Sequence, residues 1–315
     1  PDDPLVHGLV GDAAMELGAY ERAAAAFQKM LDLQPGLASY SRAAYLRELY
    51  GDLPGAAELM TLAVRAGSPR DPEPFAWCLV QLGNVYFNQG QLEEAEAAYQ
   101  QGWAVFPQYY QALAALGRVR GAQQRYAEAL AFYQQAVAIV PTPDTVAALG
   151  DLLALLGKAD EAEKQYTLVE YIEHVNEINQ VAYNRQLALF YADHDRQLSE
   201  ALTLAEAELR RRHDIYTYDT LAWALGKNGR YPDAWKAMEQ ALHLGTRDAL
   251  LFFHAGIIAH GLGKREQARD YLHQALTLNP HFHLVQTEVA KRLLTELEGR
   301  PSLAGGAGVN QDGHS

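Results

Sequence analysis

Cysteine is nearly absent: Cys78 is the single one in 315 residues, which excludes an intramolecular disulfide or a cysteine-rich zinc site. A lone thiol of this kind reads as a small core residue. Long apolar runs are missing as well. The longest, "ALLFFHAGIIAHGLG" from Ala249 to Gly263, is interrupted by His254 and His260 and falls short of the ~20 residues a membrane span needs. A soluble chain without a membrane span is expected. Basic charge is scarce, with 26 Lys and Arg against 39 Asp and Glu, a net charge of −13. Residues 1–158 hold 10 basic and 17 acidic side chains and residues 159–315 hold 16 and 22, so neither half has a nucleic-acid binder's footprint. An initiator methionine is also missing before Pro1, as in a trimmed or matured chain, so any export signal would already be gone and the compartment is left unassigned.

Signatures of chemistry are lacking too. Of the eleven histidines, the nearest pairs are His281 with His283 and His254 with His260, and neither has the HExxH arrangement or the i,i+4 spacing of a helical metal site. The stretches "GLGKRE" and "LGKN" lack the leading glycine and the Ser or Thr of a phosphate loop. Carboxylate pairs such as Glu93 with Glu94 read as solvated helix faces, and no Ser/His/Asp or Cys/His set is aimed by a strand or elbow. The run "ELRRRHD" ends a helix, where cations are favoured by its dipole. No enzyme activity, cofactor or metal is expected.

What is present is a phrase that recurs. About half of the residues are apolar, enough for a continuous core. The stretch "YFNQGQLEEAEAAYQQGWAVFP" is anchored on Ala95, and equivalent alanines stand at Ala23, Ala56, Ala129, Ala162, Ala201, Ala234 and Ala268, at intervals of 33, 39, 34, 33, 39, 33 and 34 residues. Five residues before the anchor stand Gly18, Gly51, Gly90, Gly157, Gly229 and Gly263, with Gln124 and Arg196 as exceptions. Such a glycine suits a tight turn at positive φ. Four residues after the anchor come mostly large side chains (Phe27, Met60, Tyr99, Tyr133, Tyr166, Ala205, Met238, Leu272), and twelve before it mostly small ones (Gly11, Ala44, Gly83, Gly117, Gly150, Leu189, Ala222, Gly256). Two antiparallel helices in close approach follow from that pairing.

This pattern resembles the tetratricopeptide repeat, a helix–turn–helix unit of about 34 residues. The resemblance implies an all-α, right-handed superhelical α-solenoid. Eight repeats are expected over residues 4–280, at about 4–37, 38–70, 76–109, 110–142, 143–175, 181–214, 215–247 and 249–282. A capping helix at 283–298 and a flexible tail at 299–315 would follow. The sixth repeat is the weakest match, since it lacks the turn glycine and puts Ala205 and Glu208 where larger and smaller residues belong. Each 39-residue interval adds five residues: "AGSPRDPEP" reads as a longer loop, and "VEYIEHVNEINQVAY" as a helix running on by more than one turn.

In this family the first helices line the concave face. The resemblance therefore places Arg42, Tyr45, Trp77, Gln81, Asn84, Asn88 and Arg118 in a groove in the first half. Tyr183, Gln186, Tyr216, Asp219, Trp223 and His254 follow in the second half. Amides pair with a peptide backbone, arginines with carboxylates, and aromatics supply buried area, so these are candidate ligand-binding residues. For the aromatics Trp77, Tyr183 and Tyr216, ordinary inter-repeat packing is the favoured reading, since large apolar side chains are mostly structural. A carboxylate clamp for chaperone tails is not expected, because Gly8 and Asp12 occupy its Lys and Asn positions. An asparagine ladder is absent at Leu9, Arg42, Gln81, Ala115, Ala148, Leu187, Thr220 and His254. The resemblance implies a non-catalytic scaffold that binds a peptide or partner helix. The alternative is a regulatory or substrate-selecting segment of an enzyme whose catalytic part lies outside this chain. Self-association through the first repeat's edge or the cap would give a mass above 34.8 kDa.

Overall fold

The computed structural model describes residues 3–178 and 184–299. Seventeen α-helices and no strand are found among the described residues. Four hairpins come first: α1 (Pro4–Glu16) with α2 (Tyr20–Leu33), α3 (Leu37–Leu49) with α4 (Leu53–Ala66), α5 (Pro72–Asn88) with α6 (Leu92–Val105), and α7 (Tyr110–Ala122) with α8 (Tyr126–Ile139). Four more follow: α9 (Pro143–Leu155) with α10 (Ala159–Ile178), α11 (Asn184–Asp193) with α12 (Leu198–Leu209), α13 (Ile215–Lys227) with α14 (Tyr231–Ala241), and α15 (Ala249–Gly261) with α16 (Arg265–Leu278). A last helix, α17 (Gln286–Leu297), packs on α16. Its Val289, Leu293 and Leu294 meet the core while Val285 is 45% exposed. Of the expected tail, 300–315 lies outside the described residues.

The hairpins close where the sequence pairs small with large. All eight anchor alanines are 0–2% exposed. A Cβ built on Gly11 would lie 2.2 Å from Phe27, on Gly83 2.4 Å from Tyr99, on Gly150 2.5 Å from Tyr166 and on Gly256 2.8 Å from Leu272. The large side chain of the second helix thus lies on the bare backbone of the first. In the sixth hairpin the sizes are exchanged, with Leu189 on the first helix and Ala205, 0% exposed, on the second. Glu208, also out of pattern, is 4% exposed and paired with Arg212 at 3.4 Å.

The hairpin turns share one backbone conformation. Gly18, Gly51, Gly90, Gly157, Gly229 and Gly263 have φ between +68° and +75°, and Gln124 adopts the same region at +59°. In the sixth turn Asp195, rather than Arg196, takes it, at +52°. Arg196 instead pairs with Glu163 and Glu170 of α10.

Both long intervals are largely helix among the described residues, which exclude 179–183. The loop between α4 and α5 spans only residues 67–71, because Pro72 and Pro74 lie in the first turn of α5, where a missing N–H removes no helical bond. Accordingly α5 has 17 residues where α3 and α7 have 13, so the insertion read as loop is largely helix. Helix α10 has 20 residues against 14 in α8, the expected run-on.

Curvature brings the first helices together. From α1 to α15 each first helix packs on the next first helix as well as on its own partner, whereas successive second helices touch far less. The first helices are therefore the inner, concave layer.

After six hairpins the array meets itself. The Glu16 carbonyl accepts from the His213 N–H at 2.8 Å, the Tyr20 hydroxyl accepts from the Ile215 N–H at 2.8 Å, and Arg212 reaches Glu16 at 2.7 Å. One hairpin further on, the Thr246 hydroxyl donates to the Leu49 carbonyl. Another hairpin on, the Asn279 amide donates to the Phe87 carbonyl at 2.7 Å. The turns of the first three hairpins thus dock on the links that follow α12, α14 and α16, and the two superhelical turns form a seam. Arg212, assigned from sequence to a helix dipole, is one of its bonds.

Glycine is needed at this seam for space as well as for φ. A Cβ on Gly51 would stand 2.5 Å from the Gly245 carbonyl oxygen, whereas one on Gly229 would meet nothing within 4 Å. Gly229→Ala is expected to cost only the left-handed strain, about 1–2 kcal/mol. Gly51→Ala should lower the melting temperature further and raise the radius of gyration in small-angle X-ray scattering. An unchanged radius with equal melting temperatures would refute the seam's role.

Candidate functional site

The inner layer of the first six hairpins encloses two cavities that share Gln81. The first, about 710 Å³, lies among α1, α3 and α5 and is lined by Asp12, Arg42, Tyr45, Glu48, Glu73, Trp77 and Gln81. The second, about 640 Å³, lies among α5, α7, α9 and α11 and is lined by Gln81, Asn84, Gln111, Arg118, Asp144 and Gln186. Of the residues expected in a groove, Arg42, Tyr45, Trp77, Gln81, Asn84, Arg118 and Gln186 are brought together here. Volumes of this size are typical of binding clefts.

Most of the polar side chains in this wall hold one another. Arg42 grips Asp12 with two nitrogens, at 2.9 and 2.7 Å, and donates to the Ala38 carbonyl. Asn84 donates to Gln81, and its carbonyl accepts from Arg118 at 2.6 Å and from the Tyr99 hydroxyl at 2.9 Å. The Arg118 guanidinium also lies 4.1 Å from the centre of the Phe87 ring. Such bonds fix rotamers before any ligand arrives. Asn88 donates to Glu48 at 2.8 Å across α5 and α3.

Three acids facing the interior depart from ordinary carboxylates. Burial pushes Glu48 up to about 7, which the Asn88 hydrogen bond and Arg118 reduce and Asp248 increases. Burial also raises Asp248 and Asp144, Asp144 despite Arg185. Burial raises the Tyr45 and Tyr216 phenols as well. Yet Tyr45 is 43% exposed. The two observations agree if water reaches a side chain that protein surrounds, which is the interior of a ring closed by the seam. Groups from both superhelical turns face one another there: Tyr45 and Glu48 on one side, Tyr216 and Asp248 on the other.

Sequence reasoning missed Glu48, Glu73 and Asp248. Glu48 stands one position off the inward register occupied by Leu49, and Asp248 is the N-cap of α15, bonded to the N–H groups of Leu250 and Leu251. A helix start with Asp reads as a cap and signals nothing more.

The remaining candidates lie deeper. Trp223 is 4% exposed, its indole N–H donates to Asp193 at 2.8 Å, and Gln286 donates to the same oxygen at 2.6 Å. His254, 1% exposed, stacks on Trp223 at 4.2 Å and bonds Asp219 at 2.9 Å through Nδ1. Burial disfavours its charge, but Asp219 prevails and raises its pKa. A second pair, His194 with Asp151 at 2.7 Å, receives the Tyr166 hydroxyl at 2.9 Å. Its Asp151 is held below the ordinary carboxylate range, burial notwithstanding, chiefly by the His194 hydrogen bond. The His254–Asp219 pair joins α15 to α13 and the His194–Asp151 pair joins α11 to α9, while the hydrogen bonds of Trp223 and Gln286 to Asp193 tie α13 and α17 to α11. Tyr183 lies outside the described residues. No group of three or more His, Cys, Asp or Glu that could hold a metal is found among the described residues, and no described helix is long and apolar enough to cross a membrane.

A sequence model described as tetratricopeptide repeat matches residues 1–38, 10–72, 80–142 and 220–281, together more than half of the chain. Human protein O-mannosyl-transferase TMTC1 is 29% identical over 231 residues, 70% of this chain and 25% of that protein. The chain thus spans about a quarter of the length of this curated relative. Among solved structures, a tetratricopeptide repeat protein from Parabacteroides merdae ATCC 43184 is 19% identical, with 83% of this chain and 98% of that one covered at a TM-score of 0.45. The APC/C hetero-tetramer Cut9–Hcn1 is 19% identical, with 88% and 52% covered at 0.46. The chain belongs to the tetratricopeptide repeat family.

Proposed function

We propose that this chain is a non-catalytic scaffold that holds an extended segment of a partner protein along its inner layer, across the two cavities joined at Gln81. The observation behind this reading is that open aromatic faces, Tyr45 at 43% and Trp77 at 37%, stand in a wall most of whose polar groups are already bonded to one another. Pre-organised walls with accessible aromatics gain affinity by avoiding ordering costs. Tyr45, Trp77, Gln81, Gln111 and Gln186 would touch the segment, while Arg42, Asn84, Asn88 and Arg118 would shape the wall. Tyr216, Asp219, Trp223 and His254 would support it from behind.

Capture from a lysate of the source cells tests the reading, with the wild-type chain beside a Tyr45→Ala, Trp77→Ala, Gln81→Ala variant. A partner held by the first and lost by the second, with unchanged helical circular dichroism, is the expected result. Equal capture would place binding elsewhere. A second reading draws on the partial match to a protein named as a mannosyl-transferase, of which this chain spans a quarter. On that reading the same groove selects substrates for a catalytic part on a longer chain, and segments captured by the wild type would be modified at sites beside the bound stretch.

A further inference from the structure

We infer that the first cavity seats a lysine or arginine side chain carried by the partner segment, an assignment that rests on the groove reading above. Charge complementarity leads to it. Arg42 is the cation of this cavity, and it is already committed to Asp12 at 2.7 Å. Glu16 is committed to Arg212 across the seam. Glu48 and Glu73 remain, and among the described residues neither has an ion-pair partner. The hydrogen bond that Glu48 receives comes from the neutral Asn88 amide, and the influence of Arg118, which pairs with Asn84 rather than with Glu48, is opposed by Asp248, a second acid.

The rest of the lining fits a long cationic side chain. The open faces of Tyr45 and Trp77 offer negative quadrupoles to an ammonium or guanidinium group. Met15, Phe27, Leu37 and Met60 supply an apolar floor for the methylene stem. An acidic side chain would add to the repulsion between Glu48 and Asp248. An apolar one would leave the Glu48 carboxyl desolvated and unpaired.

Proton linkage supplies a signature that packing would not. The groups facing Glu48 are Asn88 on α5, Tyr99 on α6, Arg118 on α7, Tyr216 on α13 and Asp248 at the start of α15, with Tyr45 on its own helix. Glu48 titrates near 7, so it is largely protonated at pH 6 and ionised at pH 8. A bound cation favours the ionised form, so affinity rises with pH across this window by about tenfold.

The test titrates the full chain with capped heptapeptides that differ only at a central lysine, arginine, glutamine or glutamate, read by calorimetry and by Trp77 fluorescence against a Trp77→Phe control. Lysine and arginine peptides are expected to bind at least about tenfold more tightly than glutamine, and about tenfold more tightly at pH 8 than at pH 6. Glu48→Gln should abolish the pH dependence while keeping the fold, since it relieves the repulsion with Asp248. Glu73→Gln, at an exposed position, should weaken the cationic peptides alone. Equal binding of the glutamine peptide would overturn the cation assignment and leave the groove reading standing. Binding of no peptide would also overturn it, and the lysate capture then decides whether the groove reading falls too.

Discussion

Gly256→Leu destabilises the last hairpin by about 2–3 kcal/mol, and adding Leu272→Ala restores most of that loss. The reason is the close approach of α15 and α16. A Cβ on Gly256 would stand 2.8 Å from Leu272 Cγ and 2.9 Å from its Cδ2, so a leucine drives two side chains into one space. Leu272 is 0% exposed, so Leu272→Ala by itself opens a cavity and costs about 2–5 kcal/mol. Together the two changes exchange the sizes across the interface, which the sixth hairpin already does with Leu189 and Ala205. Residues in contact of this kind are coupled by about 0.5–3 kcal/mol. Hydrogen exchange in α15 and α16, measured for the wild type, both single variants and the double, gives the four corners of the cycle. A double variant that loses the sum of the two single losses would show that size exchange is not what makes the sixth hairpin work.

Asp219→Ala costs about 3–5 kcal/mol, because it strips the partner from a charge buried between α13 and α15. His254 and Asp219 are 1% and 8% exposed in their side chains and 2.9 Å apart. Burial opposes the imidazolium, yet Asp219 holds the folded-state pKa above 6.5. A group raised on folding contributes stability that is fully present below its unfolded pKa and lost as pH rises through the folded one. In the wild type this contribution therefore fades above pH 6.5. Without Asp219, burial, the largest influence on the ring, is opposed only by the weaker pulls of Asp193 and Asp248, and the ring's Nε2 has no hydrogen-bond partner among the described residues. The variant's His254 then resists protonation, and it loses stability as pH falls below about 6.5. Urea unfolding from pH 5 to 8, followed by Trp223 fluorescence, reads both the loss and the change of slope. A loss under about 1 kcal/mol with an unchanged slope would refute the account.

The helical hairpins were legible because each depends on neighbours. Ala95 with Tyr99 and Gly83 record contacts within one repeat, and the period of about 34 residues multiplies that record eight times. Where one repeat departs from the pattern, the structure compensates within it. Asp195 takes the left-handed turn position that glycine holds in six of the other hairpins and Gln124 in the fourth, and Leu189 exchanges size with Ala205. The Pro-rich interval misled because proline is read as a helix breaker, while at Pro72 and Pro74 it begins α5.

Of the inner wall, the sequence marked which positions face inward, and Arg42, Tyr45, Trp77, Gln81, Asn84 and Arg118 do line the cavities. It could not mark which polar groups are committed to each other. The Asp12 partner of Arg42 is 30 residues away and the Asn84 partner of Arg118 is 34, each on the next helix of the inner layer.

By itself the sequence determined an all-α stack of helical hairpins, their close packing and their inner face, since all of these repeat with the local period. Only the tertiary structure decided that the stack closes on itself and turns an open groove into a walled interior. The seam bonds join residues 192 to 197 apart, such as Phe87 with Asn279 and Leu49 with Thr246. Curvature is the sum of small rotations between successive hairpins. No single repeat encodes where six of them will have brought the chain.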